Sequence, residues 1–188
     1  MRIIAGSLKT RKIITEKQEN IKPTTSKLRE IIFNIITHNK YTEQNLLGKN
    51  IKFLDIFSGT GIMTFEAISR GIESATIIEK NRKSNELIAK NAEIFGISNK
   101  INCLQLDASN LPIATQQYDL CFIDPPYEKE LIEKTLNSLI TNNWLNHHAI
   151  LFIEYEKKLD LTFSKSFTLL DTRKYGNSKI SIIQFNKA

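Results

Sequence analysis

Short apolar runs alternate with amphipathic helical patterns, and this alternation constrains the fold more than any other feature of the chain. The first run, residues 51–57, ends at Ser58-Gly59-Thr60-Gly61 and is followed by a helical pattern that stops near Gly71. The same order then repeats, with strands expected over 75–79, 101–107, 118–124 and 149–154 and helices over 81–95 and 129–140. Repeated strand–helix units predict an α/β fold with a doubly wound, mostly parallel sheet of Rossmann type.

The end of the chain departs from this repeat. Runs over 167–174 and 179–185 lie only a few residues apart across Tyr175-Gly176-Asn177-Ser178, which predicts an antiparallel hairpin and brings the sheet to seven strands. With 188 residues, we expect one such domain with a small appendage. No apolar run approaches the roughly 18 residues that a membrane helix needs, so we expect a soluble, cytoplasmic protein without a membrane partner.

Residues 1–48 form an N-terminal extension to the sheet domain, which we place at 49–188. A hairpin is expected over residues 2–14, then a polar loop, then a helix over 25–37 with Leu28, Ile31, Ile32, Ile35 and Ile36 on its buried face. Residues 1–50 carry ten Lys or Arg and four acids, a net charge of +6, whereas the other 138 residues carry sixteen of each sign. A basic extension on a neutral body indicates a polyanion partner.

Four acidic residues mark the ends of successive predicted strands: Asp55, Glu79, Asp107 and Asp124. In parallel α/β sheets, ligands bind beyond the carboxyl ends of the strands. Four acids at the same edge of one sheet are hard to explain as ordinary solvent-exposed residues, so we expect these acids to form one site.

The glycine loop after Asp55 narrows the choice of cofactor. The chain has no triphosphate-binding G-x-x-x-x-G-K-[ST] pattern, and Thr64 stands where a dinucleotide loop has its third small residue. Asp55 would repel a pyrophosphate but favours a ligand that carries an ammonium and a sulfonium. Glu79 is placed for two ribose hydroxyls and Asp107 for an adenine amine. S-adenosylmethionine offers a partner to every one of these groups, whereas NAD offers a partner to only some of them.

Asp124-Pro125-Pro126-Tyr127 is the most specific pattern in the chain. Two prolines stiffen the turn and leave its carbonyls free to accept hydrogen bonds. If the Asp124 carboxylate and the Pro125 carbonyl accept the N–H bonds of an exocyclic amine of a base, its lone pair turns toward the methyl donor. Tyr127 would stack on a base turned out of its helix or loop.

Asp55-Ile56-Phe57-Ser58-Gly59-Thr60-Gly61, followed by Glu79, Asp107 and Asp124-Pro125-Pro126-Tyr127, resembles the amino-methylating class I S-adenosylmethionine-dependent methyltransferases. More narrowly, the chain is similar to the RsmD family of bacterial 16S ribosomal RNA guanine-N2 methyltransferases, which modify guanine 966. The residues that carry this likeness are Arg2-Ile3-Ile4-Ala5-Gly6, Lys9-Thr10-Arg11-Lys12, Lys22-Pro23-Thr24-Thr25, Arg29-Glu30 and Phe33-Asn34.

The resemblance implies roles for individual residues, with 16S ribosomal RNA in an assembled or nearly assembled small (30S) subunit as the partner. Asp124, Pro125, Pro126 and Tyr127 would hold the target guanine. Lys22 stands where the family usually has Arg, which keeps the charge without the bidentate fork. Residues implied to bind S-adenosylmethionine are Asp55, Phe57, Gly59, Gly61, Glu79, Asp107 and Ala108. Residues implied to bind RNA are Arg2, Lys9, Arg11, Lys12, Lys22, Thr24 and Arg29.

Other functions remain open at this stage. A DNA adenine-N6 methyltransferase would use the same Asp-Pro-Pro-Tyr turn, but the roughly 24 residues between strands four and five leave no room for a target-recognition insertion. A non-catalytic RNA chaperone has no need of Asp124-Pro125-Pro126-Tyr127, and Asp55 and Thr64 disfavour an NAD-dependent oxidoreductase. The two cysteines and three histidines lack metal-ligand spacing, so we expect no metal, and we expect a monomer.

Overall fold

The computed structural model describes residues 1–15, 25–38, 40–43, 45–48, 50–126 and 129–187. The helices are α1 (Ser26–Thr37), α2 (Ile62–Ser69), α3 (Arg82–Phe95) and α4 (Lys129–Thr141). The strands are β1 (Lys52–Ile56), β2 (Ser74–Ile78), β3 (Ile101–Leu104), β4 (Tyr118–Ile123), β5 (Leu145–Glu156), β6 (Phe167–Tyr175) and β7 (Ser178–Phe185). In these ranges no helix is long and apolar enough to cross a membrane.

All seven strands form one sheet in the order β3-β2-β1-β4-β5-β7-β6. The first five in that order run parallel, and β7 lies antiparallel between β5 and β6. The chain crosses outward from β1 to β3 and then returns through β4, so the strand order reverses between β1 and β4. This confirms the predicted doubly wound fold with its C-terminal antiparallel hairpin, and it puts the switch point of the sheet at β1 and β4.

Helices cover both faces of the sheet. On one face α1, α2 and α3 pack on alternate strand residues such as Phe53, Phe122 and Phe152. On the other face α4 packs on the intervening residues, such as Leu54 and Ile123. Apolar side chains on both faces of the central strands explain their nearly continuous apolar sequences.

Most of the predicted bounds hold within one or two residues, and three differ. β3 ends at Leu104, so Asp107 follows the strand by three residues instead of ending it. β5 begins four residues early because Leu145 already pairs with Tyr118, and the extra residues of β5 between Leu145 and Ile150 shift the register before Leu120. The hairpin expected over residues 2–14 contains no named strand: its two arms are joined by one antiparallel bridge between Arg2 and Lys12 and by main-chain bonds such as that from Ile3 N–H to Arg11 O at 3.0 Å.

Candidate functional site

The parallel strands end level with one another at the switch point. Ile56 of β1 pairs with Ile78 of β2 and with Ile123 of β4, and Ile78 pairs with Leu104 of β3. Main-chain bonds continue one residue further: the N–H of Phe57 donates to Ile78 O at 3.0 Å, that of Glu79 to Leu104 O at 3.2 Å and that of Asp124 to Ile56 O at 3.3 Å. The ladder therefore brings Phe57, Glu79 and Asp124 side by side. We call these residues, with Asp55, the glycine loop 58–61 and Asp107, the carboxyl edge.

Asp55 lies one residue inside β1 and is only 1% exposed. Its Oδ2 accepts hydrogen bonds from the Thr64 amide at 3.1 Å and from the Thr64 hydroxyl at 2.7 Å, near the start of α2. Burial raises the pKa of Asp55 to about 7, the bonds from Thr64 oppose that shift, and the negative charge of Glu79 adds to it. Asp55 thus connects the first turn of α2 to β1 and titrates near neutral pH.

Glu79 closes the glycine loop from the next strand. Its carboxylate accepts the Gly59 amide N–H at 2.9 Å and the Asn81 amide N–H at 2.8 Å. Gly59 has a φ of +53° and open space where a side chain would start, whereas a Cβ on Gly61 would come within 2.9 Å of Ile88 Cγ1. Gly61 is therefore required for α2 to pack against α3, and Gly59 leaves the loop open on its outer side.

Asp107 is held on the polar loop that follows β3. Its Oδ2 accepts a hydrogen bond from Lys80 Nζ at 2.7 Å, and its Oδ1 accepts bonds from the amide and hydroxyl of Ser109. These bonds, with that of Lys80 the largest cause, lower the pKa of Asp107 to about 2. Its neighbour Ala108 is buried at 2% exposure in the core on the α4 face. Lys80 directly follows Glu79, so this ion pair spans the ends of β2 and β3.

The proline turn begins where β4 ends. Asp124 is half-buried, Pro125 is buried and Pro126 is exposed, while Tyr127 lies outside the described residues. Phe57, adjacent to Asp124 across the ladder, adopts a φ of +60°. A bulky residue in this left-handed region is uncommon and costs backbone strain. The chain therefore turns sharply at Phe57, where the glycine loop leaves β1.

Residues 1–15, the N-terminal segment, lie against α2 and α3. The buried Glu66 carboxylate accepts the amide N–H groups of Ile4 at 2.8 Å and Ala5 at 3.1 Å, and Arg70 Nε donates to it at 2.8 Å. Ser69 Oγ accepts from the Leu8 amide N–H, and a Cβ on Gly6 would collide with the Ser69 carbonyl oxygen. Two residues of α2, Glu66 and Ser69, therefore hold the main chain of the segment.

The far end of the N-terminal segment is tied to α3. Asn91 exchanges two hydrogen bonds with the main chain of Ile14, and the Arg11 guanidinium lies over the Phe95 ring at 4.8 Å from its centroid. Apolar residues of the segment, Ile3 and Ile13, join the core on this face of the sheet. The segment is thus anchored at both ends by side chains of the sheet domain.

The residues expected to bind RNA occupy three kinds of position. Arg2, Lys9, Arg11 and Lys12 are exposed on the N-terminal segment, and Lys22 and Thr24 lie outside the described residues. Arg29 is 0% exposed, with Nη2 donating to Arg2 O at 2.9 Å. Burial lowers the pKa of Arg29, and Glu66 opposes that shift. As placed here, Arg29 supports the N-terminal segment from inside the protein.

Sequence reasoning missed the roles of Thr64, Glu66, Ser69 and Asn91. The signal for Glu66 was present, because every residue of α2 is buried and an acid inside an otherwise apolar helix needs a partner. Nothing local identified that partner, since Glu66 bonds residues 61 and 62 positions away. Within the described residues, no group of three or more His, Cys, Asp or Glu could hold a metal ion.

The model of a protein family described as conserved hypothetical protein 95 matches residues 1–184. The chain belongs to this family, the RsmD family of methyltransferases. One relative, a ribosomal RNA small subunit methyltransferase D of Buchnera aphidicola from Acyrthosiphon pisum, is 35% identical over 89% of this chain and 84% of its own length. Another of that name, from Haemophilus influenzae, is 31% identical over 94% of this chain and 89% of its own length.

Solved structures of methyltransferases share the fold. A putative methyltransferase of Escherichia coli, yhhF, aligns over 100% of this chain and 99% of its own with a TM-score of 0.86 and 25% identity. An RNA methyltransferase of Salinibacter ruber, solved with S-adenosyl-L-homocysteine, gives a TM-score of 0.67 at 13% identity, over 88% of this chain and 95% of its own. The fold is therefore that of the class I methyltransferases.

Proposed function

We propose that this protein transfers a methyl group from S-adenosylmethionine to the exocyclic N2 amine of a guanine in 16S ribosomal RNA. The observation that carries the proposal is the register of β1, β2 and β4, which brings the glycine loop, Glu79 and Asp124 to one edge of the sheet. Relatives named ribosomal RNA small subunit methyltransferase D support the substrate class. Guanine 966 is the specific target that the resemblance to the RsmD family implies.

The chemistry of the carboxyl edge fits S-adenosylmethionine, which supplies a methyl group on a positively charged sulfur. The carboxyl edge contains three carboxyl groups, those of Asp55, Glu79 and Asp107. Such surroundings favour a cationic ligand and disfavour a pyrophosphate. Glu79 would bind the ribose hydroxyls and Asp107, beside Ala108, the adenine end. The open space in front of Gly59 leaves the outer side of the loop accessible to a ligand.

Asp124 and Pro125 would hold the acceptor. A guanine N2 amine is a poor nucleophile because its lone pair is delocalised into the ring. With Asp124 and the Pro125 carbonyl accepting its N–H bonds, the lone pair is turned toward the donor methyl group. N2 would form the new N–C bond as the S–C bond breaks, S-adenosylhomocysteine would leave as a neutral thioether, and the methylated amine would lose one proton to water. Positioning and charge placement supply the rate.

The exposed cations of the N-terminal segment are proposed to contact the RNA backbone. Arg2, Lys9, Arg11 and Lys12 lie on a segment that the sheet domain holds rigidly, so their positions relative to Asp124 are fixed. The rival DNA adenine-N6 activity has less support. The described part of the connection between β4 and β5 is mostly α4, and the described part shows no target-recognition insertion. The relatives reported above are named as ribosomal RNA methyltransferases.

The proposal is tested in cells and with purified protein. Mass spectrometry of 16S ribosomal RNA from cells with and without this gene should show one N2-methylguanine that depends on it. Asp124→Ala should lower kcat by at least about 100-fold while the dissociation constant for S-adenosylmethionine changes less than about twofold. Glu130→Gln, on the exposed surface of α4, is the matched control and should retain activity. Activity of Asp124→Ala within tenfold of the native protein would refute the role of Asp124.

A further inference from the structure

A pocket of about 320 Å³ lies between the end of α1, the residues that follow it and the edge strand β6. We call it the α1 pocket. Its walls combine apolar, aromatic and cationic side chains, with Ile35 buried and Lys40 exposed. Its lining residues are Ile31, Asn34, Ile35, His38, Lys40, Tyr41 and Arg173. None of them belongs to the carboxyl edge.

Strand register places the α1 pocket at the same end of the sheet as Asp124. Arg173 of β6 pairs with Ile180 of β7, which pairs with Glu154 of β5. Ile153 pairs with Ile123, so Glu154 is level with Asp124. Arg173 is therefore level with Asp124 and three strands away, about 14 Å at a strand spacing of about 4.8 Å. A polynucleotide whose target base lies at Asp124 passes within reach of the α1 pocket.

Tyr41 and Arg173 are fixed in the pocket by one carboxylate. The Tyr41 hydroxyl donates to Asp171 Oδ2 at 2.8 Å, and Arg173 Nε donates to the same oxygen at 2.9 Å. These contacts hold Tyr41, four residues beyond the end of α1, against the edge strand β6. They also preorganise the Tyr41 ring and the guanidinium of Arg173, so little conformational entropy is lost when a ligand contacts them.

Lys40 supplies the accessible positive charge of the pocket. Its ammonium lies 5.6 Å from the centroid of the Tyr41 ring. No carboxylate among the residues that the structure describes forms an ion pair with it. Asp171 offsets the charge of Arg173, whereas Lys40 is left to attract an anion from solution.

We propose that the α1 pocket binds a nucleotide of the substrate RNA that neighbours the target guanine, an inference that rests on the proposed function. The phosphate lies against Lys40 and Arg173, and the base or ribose lies against Tyr41 and the apolar wall. Cations beside an aromatic ring are the usual means of holding single-stranded nucleic acid. The volume is at the low end of the range for ligand pockets, about 300–1,000 Å³, which suits one nucleotide better than a peptide helix.

Two substitutions of Lys40 test the pocket, and Lys27 provides the control. Lys27 is exposed on α1 but does not line the pocket. Lys27→Gln and Lys27→Glu change the net charge by the same amounts as the two Lys40 substitutions, but they leave the pocket lining intact. Each variant is assayed with small subunits, and with protein-free 16S ribosomal RNA, from cells that lack the gene. Lys40→Gln should raise KM for both substrates roughly threefold and Lys40→Glu roughly tenfold, with kcat nearly unchanged. The Lys27 variants should change KM less than about twofold.

The outcomes separate this inference from the proposed function. If the native protein methylates neither RNA substrate, the proposed function fails and the pocket inference falls with it. If the native protein is active and the Lys40 variants match the Lys27 controls, only the pocket inference is overturned. A raised KM for small subunits with an unchanged KM for protein-free RNA would show that the α1 pocket contacts a ribosomal protein, which also overturns it. Calorimetry with S-adenosylmethionine should give one affinity for all variants.

Discussion

The carboxyl edge is positioned by main-chain bonds between strands, whereas the N-terminal segment is positioned by side chains of α2 and α3. At the edge, Asp55, Glu79 and Asp124 are positioned by a register that runs through parallel strands. In the N-terminal segment, one bridge between Arg2 and Lys12 is the only strand pairing within residues 1–15, and side chains of Glu66, Ser69 and Asn91 attach the segment to the sheet domain. A single substitution should therefore release the segment while leaving the edge in place.

The largest expected effect comes from Glu66→Ala. The substitution leaves the part-buried amides of Ile4 and Ala5 without an acceptor and removes the buried partner of Arg70, so the free energy of unfolding should fall by about 3–5 kcal/mol. Denaturant unfolding measures the loss, and hydrogen exchange should show faster exchange at Ile4 and Ala5 than in β1. Glu93→Ala, exposed on α3, is the control. A loss below about 1 kcal/mol, or exchange at Ile4 and Ala5 that is no faster than in β1, would show that the two regions are not anchored separately.

The carboxyl edge is tested through the pH dependence of Asp55. Burial raises its pKa in the folded protein to about 7 from an ordinary value of 3.8, so the folded state holds this proton more tightly than the unfolded chain. Its contribution to stability is therefore complete below pH 4 and is lost as pH rises toward 7. Between those values, the free energy of unfolding of the native protein should fall by about 2–4 kcal/mol relative to Asp55→Asn.

Asp55→Asn suits this comparison because an amide oxygen still accepts the two bonds from Thr64. Urea unfolding of both proteins at several pH values between 4 and 8 gives the difference directly. Parallel curves for the two proteins would mean that Asp55 does not titrate in this range and that the edge tolerates its charge without cost.

The smallest effect is expected from neutralising the exposed cations of the N-terminal segment. Lys9, Arg11 and Lys12 replaced together by Gln should weaken RNA binding and reduce the slope of log K against log salt by about two, since each lost contact contributes roughly 0.7–0.9. Binding of S-adenosylmethionine should not change. The triple replacement of Lys83, Lys90 and Lys100, exposed on α3 and the turn that follows it, alters the net charge equally and is the control. An unchanged salt slope would mean that the segment packs on the sheet domain without contacting RNA.

The same contrast explains what could be predicted from the sequence. The apolar runs and the turns that end them are local signals, and they place Glu79 and Asp124 at the sheet edge because parallel strands end together. The resemblance implied that Arg29 binds RNA, whereas the contacts with Arg2 and Ser26 that accompany its burial cannot be read from the sequence. Thr64 was taken only as a departure from a dinucleotide loop, although its hydroxyl bonds Asp55. Such roles depend on tertiary contacts that local periodicity does not carry.

Main-chain anchoring of the N-terminal segment has a consequence for how this surface can evolve. The anchoring hydrogen bonds join the side chains of Glu66, Ser69 and Asn91 to amide and carbonyl groups of Ile4, Ala5, Leu8 and Ile14. Any residue other than proline provides both of these main-chain groups. The exposed side chains of Lys9 and Lys12 can therefore be substituted with little effect on folding. Substitutions at positions 9 and 12 can therefore change the RNA contact that we propose for this surface without disturbing the main-chain bonds beneath it.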